Sequence, residues 1–350
     1  MVSLKYLHVF IVLLLFLNIG LVVGQDTTPP DEYGVPPEEF HRVGQSGWQF
    51  LKIPANARNA AIGGISTSLA NGDANTMFHN PAELVGVQSI DVSANRVNWF
   101  AEIPVQSVGV AKNFDGIGVI GLSVLMVDYG DMKRTEYGLV GDPAAPSGQR
   151  NVVLDDLGTF TASDLAVGLS YARQVTDRLS VGTNIRYIQE KIDDLSMSNY
   201  SIDIGTMYYT GFKSLRLAMV ARNFGPDRKL VDYNEEVQRE PASIKMPVQF
   251  RLGAAIDFLE GDDSPHLLTA AVEGVHPNDG PEKLNVGLEY RLFEMFMARG
   301  GYRFNYDEEG ITLGAGLNLD LGGANVIFDY AYIDFGHLDY VQMFSVGLTY

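Results

Sequence analysis

Six histidines and 43 acidic residues are the groups in this chain best able to move a proton or hold a metal ion. Acid–base or nucleophilic catalysis needs a nucleophile, a base and an orienting group within reach of one another. His41 lies in a proline- and acid-rich stretch, His79 adjoins Asn80, and His266, His276 and His337 fall near strand ends or in loops. No Gly-x-Ser-x-Gly elbow occurs, nor does His-Glu-x-x-His or His-x-x-His spacing. His79 is the histidine to follow, because it adjoins a helix start, but with no partner motif a capping or packing role outweighs catalysis. Acids cluster at Asp155-Asp156, Asp193-Asp194, Glu235-Glu236, Asp262-Asp263 and Asp307-Glu308-Glu309. Carboxylate oxygens suit divalent cations or a basic partner surface. No calcium-loop spacing is present, which favours solvated loop charge. The absence of cysteine removes disulfides, thiolate metal sites and cysteine nucleophiles together. The expectation is a non-enzyme with no cofactor and no metal.

Composition narrows the classes further. A net charge of −18 over 350 residues leaves nothing to neutralise a run of phosphates, so nucleic acid is not an expected partner. Charged residues make up 19%, below the globular average of about 25%. Glycine (37), tyrosine (17) and phenylalanine (18) are plentiful, and the 46% apolar content is too high for a disordered chain.

The elements that carry these residues begin with a targeting segment. Lys5, an apolar run from Val9 and the small-residue exit Val22-Val23-Gly24 form a secretory signal over residues 1–24. Residues 25–47, with Pro29, Pro30, Pro36 and Pro37 among acids, read as an extended leader. From residue 88 the apolar period is two. In Lys283–Leu292, Leu284, Val286, Leu288, Tyr290 and Leu292 share one face, and Lys283, Asn285, Gly287, Glu289 and Arg291 the other. The same alternation predicts strands near 88–98, 103–113, 116–128, 161–175, 178–191, 199–209 and 214–223. It continues at 247–258, 265–275, 283–292, 294–304, 310–320, 324–334 and 340–350, about fourteen in all.

Alternation alone fits a soluble sandwich and a membrane barrel equally. Three features select the barrel. The strands run about ten residues, the length that crosses a bilayer at a tilt. The polar face mixes glycines with opposed charges, such as Asp203, Gly205, Arg251, Gly253 and Asp257, which suits a wet lumen. Connections alternate between tight turns, as at Asn113–Asp115 and Leu321–Gly323, and longer loops at 129–160 and 224–246. Tyr187, Tyr208, Tyr290, Tyr302, Tyr330, Tyr332 and Tyr350 suit interfacial girdles. The fold class is therefore all-β: a transmembrane antiparallel β-barrel of about fourteen strands over 88–350, closed to remove its edges.

Residues 48–87 do not alternate. They are rich in small residues, and Asn80 followed by Pro81 opens a short helix as cap and first helical position. A compact segment of this kind can plug a barrel lumen. The string FLKIPANARNAAIGG, followed by Asp73 and then NPAEL, resembles the N-terminal signature of the PorV/PorQ family. Pro54, Ala57, Arg58, Gly63, Gly64, Asp73, Asn80, Pro81 and Ala82 fall where that pattern places them, within residues 49–84. Phe344, Val346, Leu348 and the final Tyr350 resemble the terminal signal read by outer-membrane assembly machinery.

The resemblance implies a FadL-like, fourteen-stranded outer-membrane barrel with an N-terminal plug. Its implied role lies in type IX secretion, with secreted cargo or surface-attachment machinery as partners and outer-membrane lipid around it. The longer loops then become candidate partner-binding surfaces, with Tyr129, Tyr137 and Tyr233 as contacts. Lys283, Glu289, Arg291, Arg299 and Arg303 become candidate lumen charges, lining a solute path or pairing with one another and the plug. The rival expectation is a FadL-like transporter of hydrophobic small molecules, which needs an apolar pocket inside the barrel; Met126, Met207 and Met219 are candidates for it, although methionine is more often simple packing.

Overall fold

Fourteen antiparallel strands hydrogen-bond in sequence order and close on themselves. The computed structural model describes residues 46–141, 149–154, 157–229, 243–259 and 264–350. The signal segment, the leader up to residue 45, His41, Tyr233 and the acid pairs at 155–156, 235–236 and 262–263 lie outside the described residues. The strands are β1 (Ile90–Asn98), β2 (Pro104–Phe114), β3 (Gly118–Lys133), β4 (Thr159–Thr176), β5 (Leu179–Ile192), β6 (Leu195–Tyr209) and β7 (Arg216–Phe224). They continue as β8 (Gln249–Phe258), β9 (His266–Pro277), β10 (Lys283–Leu292), β11 (Phe296–Phe304), β12 (Ile311–Asp320), β13 (Asn325–Asp334) and β14 (Tyr340–Thr349). Closure pairs β1 with β14, setting Asp91 opposite Thr349 and Asn98 opposite Gln342.

The two faces are those of a membrane barrel and not of a soluble sheet. On β10 the inward residues Asn285 and Glu289 are buried, whereas the outward Leu284 and Leu288 are exposed. Leu122, Leu252 and Leu313 repeat the pattern, each more than half exposed. Such a belt in water would be an aggregation surface. Against lipid it is the favourable arrangement, with every strand hydrogen bond satisfied inside the closed sheet.

Ten strands run 9 to 12 residues, close to the span of a tilted crossing, whereas β3 to β6 run 14 to 18. Their surplus adjoins the β3–β4 and β5–β6 connections, so one sector of wall projects past the membrane at that end. Extension of β3 to Lys133 corrects the sequence reading at Tyr129. That residue is not in a loop but on the strand, and its hydroxyl donates to Asp164 on β4 at 2.6 Å. Tyr137 lies in a small hairpin that pairs Glu136–Gly141 with Gln149–Leu154.

Apart from the two-residue β5–β6 turn at Asp193-Asp194, the tight turns lie at the opposite end. Ile117 N–H donates to Phe114 O, with Gly116 at φ +75°, and Leu321 N–H donates to Ala324 O. Tyr350 and Ile90 exchange backbone hydrogen bonds at the same end. Short turns mark the periplasmic side of outer-membrane barrels, so the projecting sector is external.

Candidate functional site: a sealed lumen beneath an outer cavity

The segment from Ser46 to Ser89 runs down the lumen. Ser46 and Gly47 pair with Lys245 at the outer end, and Ser89 O accepts from Asn113 N–H at the periplasmic end. Between them the chain makes short helical turns rather than strands. The turn Ala57–Ala61 is capped by Asn56, whose Oδ1 accepts from Asn59 N–H at 2.9 Å. Pro81–Gly86 is a 3₁₀ turn that starts on Asn80, whose Oδ1 accepts from Ala82 N–H at 3.1 Å. Small residues let these turns lie against the wall. A side chain on Gly301 of β11 would strike the backbone of Gly63, and one on Gly182 of β5 would strike Pro81. The glycines of the inward face are thus the imprint of the plug.

Polar residues then lock the segment in place. Hydrogen bonds reach it from ten of the fourteen strands: Asp91, Ser107, Asn184, Thr206, Arg216, Arg251, Glu273, Glu289, Thr312 and Ser345. Glu273 accepts from Ser66 N–H, Thr67 N–H and the Thr67 hydroxyl through one oxygen, and from Arg251 through the other. The strongest node is Glu289. Arg58 of the plug grips it through two hydrogen bonds of 2.9 Å, and Arg299 and Arg291 approach at 2.6 and 3.0 Å. Arg299 reaches on to Asp329 at 2.5 Å. A forked guanidinium matches a carboxylate in this way, and the pair is secure because its remaining lone pairs are also answered.

Buried acids of the plug lack such answers. Glu83 is raised to about 8, foremost by burial, although Asn71 N–H donates to it. Asp73 is raised to about 7 by burial and by the neighbouring charge of Asp91. His79 sits at 2.9 Å from the Asn56 side chain and is held well below its ordinary value by burial, then by Arg222 and Arg251. Among the described residues its one side-chain hydrogen bond is to Asn56. His266, His276 and His337 instead meet Tyr290, Glu282 and Glu308. No cluster of three metal-ligating side chains occurs among the described residues.

Above the plug lies a cavity of about 790 Å³, walled by the outer connections at 99–103, 278–281 and 305–309. Trp99 and Phe100 from the first of these, 4.6 Å apart between ring centroids, pack on Phe335 of the β13–β14 connection at 5.4 and 4.7 Å. Lys52 fastens the plug to the outer rim through Asp279 at 2.6 Å, and Ser46 and Gln49 bind the same carboxylate. Burial pushes Asp279 up, but these partners hold it below its ordinary value.

The candidate lumen charges all lie inside. Arg303 pairs with Glu309 at 3.0 Å, and the Lys283 ammonium sits 4.1 Å over the Tyr306 ring. Signature residues Ala57, Asn80 and Ala82 are fully buried, and Gly63 and Gly64 take φ near +77°, a conformation that favours glycine. The methionines that the transport reading would use do not line the outer cavity. Met126 and Met219 face outward and Met207 is buried beneath Ala82. Sequence reasoning missed Arg222 and the Trp99–Phe100 pair, whose importance depends on their position at the mouth.

A closed, plugged fourteen-stranded barrel with an apolar outer belt defines an outer-membrane β-barrel protein. Among solved structures it is similar to the CymD monoaromatic hydrocarbon channel, with TM-score 0.54 and 13% identity over 85% of this chain and 96% of that one. It is also similar to the Ralstonia pickettii toluene transporter TbuX, with TM-score 0.52 and 14% identity over 84% and 96%. The Pseudomonas putida toluene transporter TodX gives 0.52 and 10% over 84% and 96%. These likenesses concern the fold. No curated protein matches the sequence. Residues 150–337 match the model of the type IX secretion system membrane protein PorP/SprF, and the chain belongs to that family. The match lies beyond residues 49–84, which carry the resemblance to PorV/PorQ, so type IX secretion is common to both readings and the subfamily is not.

Proposed function

We propose that this protein is a non-enzymatic, protein-binding component of type IX secretion, exported through its N-terminal signal to the outer membrane of a Gram-negative-type cell. The observation that carries the reading is the seal: the plug is bonded to ten strands and ion-paired at Glu289, which suits a rigid platform better than a conduit. Partner protein would be gripped by the projecting β3–β6 sector and the adjoining loops. The 49–84 signature supports a role of the PorV/PorQ kind, in cargo shuttling or surface attachment. Phe344, Val346, Leu348 and Tyr350 would present the chain to the barrel-assembly machinery.

Gene deletion followed by quantitative proteomics of periplasm, surface and medium tests the reading. Proteins that share one C-terminal domain type should accumulate in the periplasm, and an unchanged distribution overturns the proposal. Deleting residues 134–158 or 225–245 should abolish partner co-purification while the barrel still assembles.

One observation favours a second reading. The outer cavity has an aromatic wall, and the similar solved barrels are named for monoaromatic hydrocarbons and toluene. Uptake of apolar solutes that is lost on deletion, with secretion intact, would establish transport instead.

A further inference from the structure

The outer cavity holds more positive charge than its wall answers. Its lining includes Lys52, Arg222, Arg251, Lys283 and Arg303 against Asp279, Asp307 and Glu309, in a chain of net charge −18. Four of the five cations are engaged: Lys52 by Asp279, Arg251 by Glu273, Arg303 by Glu309, and Lys283 by the Tyr306 ring. Arg222 is not. It is 6% exposed, its Nη2 reaches only the Leu51 carbonyl at 3.4 Å, and its Nε has no partner. No carboxylate among the described residues lies within ion-pair distance of it. A buried guanidinium in this condition is costly, and an arriving anion recovers that cost.

The rest of the lining states what the anion is attached to. Phe50, Trp99 and Phe100 offer an apolar wall, and the amide ends not used among the described residues, Gln49 Oε1, Gln249 Nε2 and Asn305 Oδ1, offer hydrogen bonds. A peptide backbone can use those amides, whereas a hydrocarbon tail cannot. The volume lies within the range that encloses a drug-sized ligand, so a short segment enters and a folded domain does not.

We propose that the outer cavity binds a short acidic, aromatic segment of a partner polypeptide, its carboxylate on Arg222 and its apolar side chains against Phe50, Trp99 and Phe100. The proposal rests on the protein-binding reading above and names the chemistry by which the partner is recognised. The outer connections admit the segment from outside, and the sealed plug stops it there.

The chain has two tryptophans, and Trp99 lines the cavity, so intrinsic fluorescence reports occupancy. The full chain in detergent micelles is titrated with acetyl-Phe-Leu-Glu-Phe-amide, with its Gln counterpart, and with dodecanoate. The Glu peptide should bind about tenfold tighter or more than the Gln peptide, as a charge-assisted hydrogen bond dictates. Arg222→Gln should erase that ratio and Arg222→Lys should keep part of it, both in protein whose heat-modifiable gel migration shows a folded barrel. Equal affinity of the two peptides for the unaltered protein overturns the proposal, whatever the variants do. Dodecanoate that binds more tightly than the Glu peptide and displaces it assigns the site to a free amphiphilic acid and overturns the polypeptide source. Co-purification from native membranes separates the two levels. A partner retained by Arg222→Gln refutes the site and leaves the protein-binding reading standing. If no partner is retained by either form, that reading fails and the proposal resting on it is overturned.

Discussion

Glu289 and Arg222 are both charged residues buried on the lumen wall, and their surroundings are opposite. Glu289 on β10 meets three guanidiniums, one of them from the plug. Arg222 on β7 meets one distant carbonyl. The Glu289 sector holds the plug down, and its charges are spent on the fold. The Arg222 sector opens on the cavity, and its charge remains available. A buried charge in a barrel is therefore structural or functional according to whether the plug answers it.

Breaking the answered site should have the largest effect. Glu289→Leu leaves Arg58, Arg291 and Arg299 without their shared carboxylate and should cost about 3–5 kcal/mol, read as a lower thermal midpoint and protease cleavage within residues 48–87. Gly301→Val drives a side chain into the Gly63 backbone and should cost about 1–3 kcal/mol by overpacking, with the same proteolytic signature.

Acidity sharpens the contrast through the plug acids. Glu83 stays protonated in the folded plug up to about 8, whereas the unfolded chain ionises from its ordinary 4.5. Rising pH within that window therefore favours unfolding. Asp73 adds the same sign between 3.8 and about 7. Below about pH 6.5 the depressed His79 carries the opposite sign, so the fall in thermal midpoint should be read from about pH 6.5 to about pH 8, and Glu83→Gln should flatten it; a rising midpoint in that range would contradict the Glu83 assignment.

The unanswered site should respond in the other direction. Arg222→Met removes an unpaired buried charge and should stabilise the barrel by about 1 kcal/mol; a loss of stability would show that Arg222 is structural after all. The smallest effect belongs to the exposed rim pair Arg134–Asp193, where Arg134→Ala should shift stability by less than about 1 kcal/mol.

Most of the barrel was legible because its signal is local. The period of two over Lys283–Leu292 and the tight turns at Asn113–Asp115 and Leu321–Gly323 lie within a few residues of one another, and all fourteen expected strands are present. Boundaries failed where strands continue into polar sequence. Asp128, Tyr129 and Asp131 carry no alternation, yet they extend β3 because β4 runs beside them. The candidate lumen charges were legible as inward residues, but their partners were not. Arg58 and Glu289 are 231 positions apart, and nothing local links them.

Alternation of side chains, taken with strands of about ten residues, a polar face of glycines and opposed charges, and short turns alternating with longer loops, thus determined from the sequence alone that this chain closes into an outer-membrane barrel. The signature at 49–84 likewise marked a compact, small-residue segment. Closure decided the rest. Only when β1 meets β14 does the plug acquire a wall, Glu289 its three arginines and Gly301 its contact with Gly63. Only then is Arg222 left over at the mouth, since which charges are paired is a property of distances that the chain sets when it folds.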